Sequence, residues 1–159
     1  MSKWQNWFFE AVDLNNLTKM KEAMISSDVN INAKGDNGKT ALIFAAENGF
    51  QLIVEELIKA KADLNLTDWE GKTALIVSVE SNRFEIAKAL IKAGADVFKK
   101  DYKGVDAYNY AMKEGNLEMI KMIKEVAKKE LLKRKVASQQ RGGGALQSSL
   151  KTKNQNTLL

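Results

Sequence analysis

The 159-residue sequence contains no cysteine, no histidine and no proline. Without cysteine there is no disulfide, no thiolate nucleophile and no zinc–thiolate site. Without histidine, the usual general base near neutral pH and the commonest metal ligand are both missing. Without proline, turns must rest on Gly, Asn and Asp. No apolar run approaches the roughly 18 residues of a membrane span. The opening residues, Met1-Ser2-Lys3-Trp4-Gln5-Asn6-Trp7, are polar and aromatic, with no apolar signal-peptide core, so a cytoplasmic chain is expected. Arginine is scarce as well: Arg83, Arg134 and Arg141 stand against 22 lysines, a bias associated with AT-rich bacterial genomes. These absences leave no catalytic constellation, no cofactor site and no metal-ligand set, and the chain reads as a non-enzyme.

What is present is an ordinary globular composition, 45% hydrophobic. The net charge of +5 conceals a division. Residues 1–120 hold 15 basic and 18 acidic side chains, residues 121–135 hold seven and two, and residues 136–159 hold three and none. A mildly acidic body is followed by a strongly basic end.

The dominant feature is a repeat. Gly38-Lys39-Thr40-Ala41-Leu42 recurs 33 residues later as Gly71-Lys72-Thr73-Ala74-Leu75, and a further step of 33 reaches the degenerate Gly104-Val105-Asp106-Ala107-Tyr108. Each copy reads as a turn, a short helix, a break, a second helix and an exit. The first runs through Gly35-Asp36-Asn37-Gly38, a helix over 40–48, Gly49 and a helix over 52–60. In the second, Asp68-Trp69-Glu70-Gly71 leads to helices over 74–81 and 84–92, with Gly94 as the stop. The third has Tyr102-Lys103-Gly104, a helix over 107–114, Gly115 and a longer helix ending near Ala137.

Thr40, Thr73 and Asp106 share one column, and all three types cap helix N-termini by accepting a backbone N–H, worth about 1 kcal/mol each. Asn15, Gly49, Asn82 and Gly115 share another, at the break between paired helices, where a left-handed residue is needed. Before the first copy, Ser2 caps a helix carrying Trp4, Trp7, Phe8, Ala11 and Val12, and a second helix spans about 17–25. Four large aromatics in six residues cannot all face inward, so one or two of Trp4, Trp7, Phe8 and Phe9 are expected at the surface.

A period of 33 built from a turn, two short antiparallel helices and a Gly-x-Thr-x-Leu start resembles the ankyrin repeat. Ala45-Ala46, Ile53-Val54 with Leu57-Ile58, and the exits Ala62-Asp63-Leu64-Asn65 and Gly94-Ala95-Asp96-Val97 extend the resemblance, which covers residues 4–125. Two departures stand out. The family's Thr-Pro-Leu-His is here Thr40-Ala41-Leu42-Ile43 and Thr73-Ala74-Leu75-Ile76, so the hydrogen bonds its histidine makes to the threonine are lost and neighbouring turns should be held less firmly. Lys61 stands where Gly94 stands one unit later, and a left-handed lysine costs roughly 1 kcal/mol.

The resemblance implies an all-α solenoid of stacked helix-turn-helix units with β-turn tips, an extended C-terminal helix and a flexible tail. The organisation is one domain over 1–137 (cap 2–34, repeats 35–67, 68–100 and 101–137) and a basic polar tail over 138–159. Gly142-Gly143-Gly144 reads as a linker, and the tail ending in Thr157-Leu158-Leu159 as a segment that folds on binding or lies in the groove of another copy.

Ligand contacts in this family come from the turn tips and the inner helices. Carried over, they are Asp36, Asn37, Lys39 and Glu47, then Trp69, Glu70, Lys72 and Glu80, then Tyr102, Lys103 and Lys113. Trp69 and Tyr102 hold the same turn position in adjacent units, and such aromatics are over-represented at binding hot spots. The implied function is a protein-binding module of adaptor, inhibitor or immunity type, monomeric or part of a hetero-complex. The alternative is nucleic-acid or acidic-membrane binding through Lys128, Lys129, Lys133, Arg134 and Lys135. No aromatic is interleaved there for base stacking, which weakens a single-strand reading.

Overall fold

The computed structural model describes the backbone of residues 1–153 and the side chains of residues 1–141. Among these are eight α-helices: α1 (Lys3–Asp13), α2 (Leu17–Met24), α3 (Ala41–Asn48), α4 (Gln51–Lys59), α5 (Ala74–Glu80), α6 (Phe84–Lys92), α7 (Ala107–Glu114) and α8 (Leu117–Lys153). The chain divides into two compact units, Met1–Lys124 and a second beginning at Glu125.

In the first unit the helices pair as α1·α2, α3·α4 and α5·α6, and the inner helices stack in the order α1, α3, α5, α7. Side-chain caps set the starts of α1, α2, α3, α5 and α7, whereas α4 and α6 begin without one. The side chains of Ser2, Asn16, Thr40, Thr73 and Asp106 accept from the backbone N–H of Gln5, Lys19, Ile43, Ile76 and Asn109, relieving one orphan donor per helix. Left-handed residues set each reversal: Asn15, Gly49, Asn82 and Gly115 have φ of 50°, 81°, 55° and 69°. Lys61 is left-handed too, at φ 63°.

The stacking follows from columns of residue type. Ala11, Ala45, Ser78 and Ala111 are all within 1% of fully buried, one on each inner helix. Small residues there let the helix axes approach closely. The outer helices contribute a repeating stripe: Ile53, Val54 and Leu57 on α4, Ile86, Ala87 and Leu90 on α6, and Met119 and Ile123 on α8 are buried. Each such Leu or Ile contributes about 1.5–3 kcal/mol by leaving water. In the cap, Phe8 is fully buried whereas Trp4 is 41% exposed, with its ring 5.2 Å from that of Trp7. The helix therefore turns its aromatics to both sides, as their spacing required.

The final helix departs from the sequence reading. It does not end near Ala137, and residues 138–153 are helical, so the expected flexible tail over 138–159 is corrected across that stretch. Extending an existing helix needs no new nucleus, and Ser138-Gln139-Gln140-Arg141 contains no breaker. Three glycines are then crossed at a propensity cost of about 1 kcal/mol each relative to alanine. The expectation for Thr157-Leu158-Leu159 lies outside the described residues. The buried apolar stripe of α8 ends at Ile123. At 100° per residue Val136 falls on the far side from Ile123 and Leu131, and Leu131 itself is half exposed.

Candidate protein-binding surface

Three turns form one edge of the first unit. Each closes by the same pair of backbone bonds, repeated at 33 residues. Gly35, Asp68 and Asp101 N–H donate to the carbonyls of Lys39, Lys72 and Val105, at 2.9, 3.1 and 3.0 Å, and Gly38, Gly71 and Gly104 N–H donate back to Gly35, Asp68 and Asp101. Asp68 and Asp101 tighten their turns further. Each Oδ1 accepts two turn N–H groups, from Glu70 and Lys72 and from Lys103 and Val105, all at 2.9 Å.

The turns are joined by main-chain rungs. Trp69 N–H donates to Asn37 O and Tyr102 N–H donates to Glu70 O, both at 3.0 Å. These rungs link neighbouring turns although no histidine is present. Side chains reinforce them. A Cβ placed on Gly38 would lie 2.3 Å from Trp69 Cδ1, and one on Gly71 would lie 2.7 Å from Tyr102 Cδ1. Each aromatic ring thus rests on the glycine of the preceding turn. One face of each ring is seated and the other is open: Trp69 is 70% exposed and Tyr102 77%.

The polar and charged residues in and behind the turns divide into two sets. Asp36, Asn37, Glu70, Lys103 and Lys113 are exposed. Lys39, Glu47, Lys72 and Glu80 are half-buried and engage one another. Lys39 Nζ is 2.6 Å from Glu47 Oε2, and Lys72 donates to both Glu80 oxygens at 3.0 and 2.8 Å. Lys72 also pairs with Glu70 at 3.0 Å and sits 5.6 Å from the Tyr110 ring centroid. Burial alone would lower the Lys72 ammonium, but the hydrogen bonds to Glu80 and Glu70 outweigh it and hold the pKa above the ordinary lysine value. The Tyr110 hydroxyl donates to Asp101 Oδ2 at 2.8 Å. Burial, with that bond, pushes the Tyr110 phenol up to about 12. Asp101 would be raised by burial but is held below its ordinary value by the N–H of Val105, the Tyr110 hydroxyl and the N–H of Lys103.

The chain from Glu80 through Lys72 and Tyr110 to Asp101 escaped the sequence reading, because Lys72 and Tyr110 are 38 residues apart. The asparagine clasps escaped it too: Asn32 and Asn65 side chains accept from the N–H of Asp63 and Asp96, each at 2.9 Å, and join successive exits. Their recurrence at a spacing of 33 was the available signal. The basic residues Lys128, Lys129, Lys133, Arg134 and Lys135 lie in the second unit and are exposed. Among the described residues no group of three Asp or Glu side chains could hold a metal ion. No described helix is long and apolar enough to cross a membrane.

Stacked helix pairs with hairpin-like turns on one edge define a helical-repeat solenoid. Residues 8–101 match the family model described as ankyrin repeats (3 copies), and the chain belongs to the ankyrin repeat family. Members of this family are generally protein–protein interaction modules and typically non-catalytic. Comparison with curated proteins gives no match.

Proposed function

We propose that the chain is a non-catalytic module that grips a protein partner on its turn edge and inner-helix face, with Trp69 and Tyr102 as the anchors. The observation that carries this reading is the seating of each ring on the preceding glycine. A seated ring has surrendered its rotamer freedom before the partner arrives, so binding costs less entropy. Its open face offers a large apolar area with a polar tip, the combination enriched at hot spots. Asp36, Asn37, Glu70 and Lys103 flank the anchors as a polar rim. Lys39, Glu47, Lys72 and Glu80 contribute by holding the turns, and Lys113 lies at the end of α7. A cytoplasmic setting and an adaptor, inhibitor or immunity-type role belong to this reading.

A second reading concerns the second unit. Lys133 pairs with Glu130 at 3.6 Å, yet lysines outnumber carboxylates along this stretch of α8. Its apolar residues form no single stripe, which favours a polyanion over a membrane surface. Capture from native lysate separates the readings, using wild type and Trp69→Ala chains that melt alike. Retention of a protein by wild type at high salt, lost in Trp69→Ala, supports the aromatic anchors. Retention by both chains of nucleic acid that salt releases would overturn them in favour of the basic helix.

A further inference from the structure

At one column of the inner helices, α3 and α5 carry a carboxylate paired within its own repeat, whereas α1 carries one that is not. Glu47 is neutralised by Lys39 and Glu80 by Lys72, each lysine eight residues before its carboxylate. The matching carboxylate on α1 is Asp13, and the residue eight before it is Gln5. That glutamine is buried and spent on the backbone of Asn30, accepting its N–H at 2.7 Å and donating to its carbonyl at 3.2 Å. Asp13 has no basic partner among the described residues, nor does Asp36, which faces it from the first turn. Burial, and the Asp36 charge, push the Asp13 carboxyl above its ordinary value.

These two carboxylates, with Glu10, rim a cleft of about 380 Å³ between α1 and the first turn, floored by Phe9, Val12 and Phe44. Phe9 lies against Gly35, where a Cβ would sit 3.5 Å from its ring. Lys39 also lines the cleft, but its ammonium is bound to Glu47.

We propose that this cleft takes a basic linear segment of a protein partner, with an arginine or lysine stem lying on Phe9 and Phe44 and its charged head between Asp13 and Asp36. The inference rests on the protein-binding reading above and adds a site and a ligand chemistry to it. Glu47 and Glu80 take their cations from within their own repeats; Asp13 and Asp36 do not, so a cation brought by a partner finds both free. An apolar floor with an acidic rim matches a side chain that is apolar along its stem and cationic at its tip. Phenylalanine faces beside the head add cation–π attraction.

The test uses the full ¹⁵N-labelled chain and a defined probe, the peptide acetyl-Leu-Arg-Leu-Lys-amide, against a control with glutamine in place of both basic residues. Expected are saturable amide shifts confined to the surroundings of Phe9, Asp13, Gly35 and Phe44. The control should bind at least about tenfold more weakly, and Asp13→Asn combined with Asp36→Asn should weaken the basic probe by a similar factor. Both carboxylates are exposed, and the spectrum itself reports whether the variant is folded. Shifts at the cleft and shifts around Trp69 and Tyr102 are resolved in the same spectrum, so failure at the turn tips and failure at the cleft are read separately. The proposal is overturned by the absence of saturable shifts, by shifts centred on Trp69 and Tyr102, by equal binding of the neutral control, or by an unaltered affinity in the double variant.

Discussion

Lys72 occupies a position where a lysine would ordinarily be a solvated surface charge. Its side chain is only 12% exposed, and it holds Glu80 and Glu70 while lying over Tyr110. Lys39, one repeat earlier, makes a single ion pair and is 22% exposed. Replacing Lys72 by methionine keeps the stem but leaves two carboxylates without their donor. We expect Lys72→Met to lower unfolding free energy by roughly 1.5–3 kcal/mol, and Lys39→Met by about half as much. Urea unfolding compares them, and equal losses would refute the idea of a hub at Lys72. Tyr110 adds a pH signature. Its folded pKa of about 12 exceeds the ordinary value of 10.0, so the neutral phenol is favoured in the folded state. Its contribution is complete below pH 10 and is lost as pH rises toward 12. Tyr110→Phe should flatten the alkaline limb of stability against pH. An unchanged limb would mean the phenol does not couple to folding. Some of this residue-scale design was legible in advance, such as the caps at Thr40, Thr73 and Asp106, because a cap depends on residues three apart. The hub was not, because its members come from α5, α7 and two separate turns.

Among the elements, the turns are the instructive case. All three need glycine at the fourth position for its positive φ, 71°, 79° and 78° at Gly38, Gly71 and Gly104. The first two carry a second constraint, the aromatic ring of the next turn, whereas a Cβ on Gly104 would meet open space. Gly104→Ala should therefore cost only the left-handed strain, about 1–2 kcal/mol. Gly71→Ala should cost a further 1–3 kcal/mol, roughly, because Tyr102 and its backbone N at 2.8 Å must move. Thermal melts of the two variants decide this, and equal melting temperatures would show that Tyr102 is not seated on Gly71. The repeat made the turns legible and placed Trp69 and Tyr102 in register. It could not reveal the seating, since nothing in a letter string says on which side of a turn its neighbour lies. The end of α8 was misjudged for the opposite reason. A polar, glycine-containing stretch reads as a poor helix in isolation, but isolation is not its state when about six turns of helix, from Leu117, already precede it.

At the scale of the molecule, the first unit holds the apolar core and the second unit holds most of the excess positive charge. Core side chains end at Ile123, and every described side chain from Leu131 to Arg141 is exposed. In a repeat solenoid, stability is close to a sum of each unit and its contacts with adjacent units. A stretch that buries no apolar surface adds nothing to that sum beyond its own helical bonds, and an isolated helix of such length is marginal in water. Truncation after Ala137 should accordingly leave the main unfolding transition within about 0.5 kcal/mol of the full chain. It should also leave intact any protein binding that depends on Trp69. Affinity for a polyanion such as heparin should survive too, since Lys128 to Lys135 are retained, and should fall only when the cut is moved to Lys124. Unfolding curves and heparin elution for the three lengths test this directly. A loss of stability at the Ala137 cut would mean that the distal part of α8 supports the fold. Loss of heparin retention at that same cut would move the basic site beyond Lys135, to Arg141, Lys151 and Lys153.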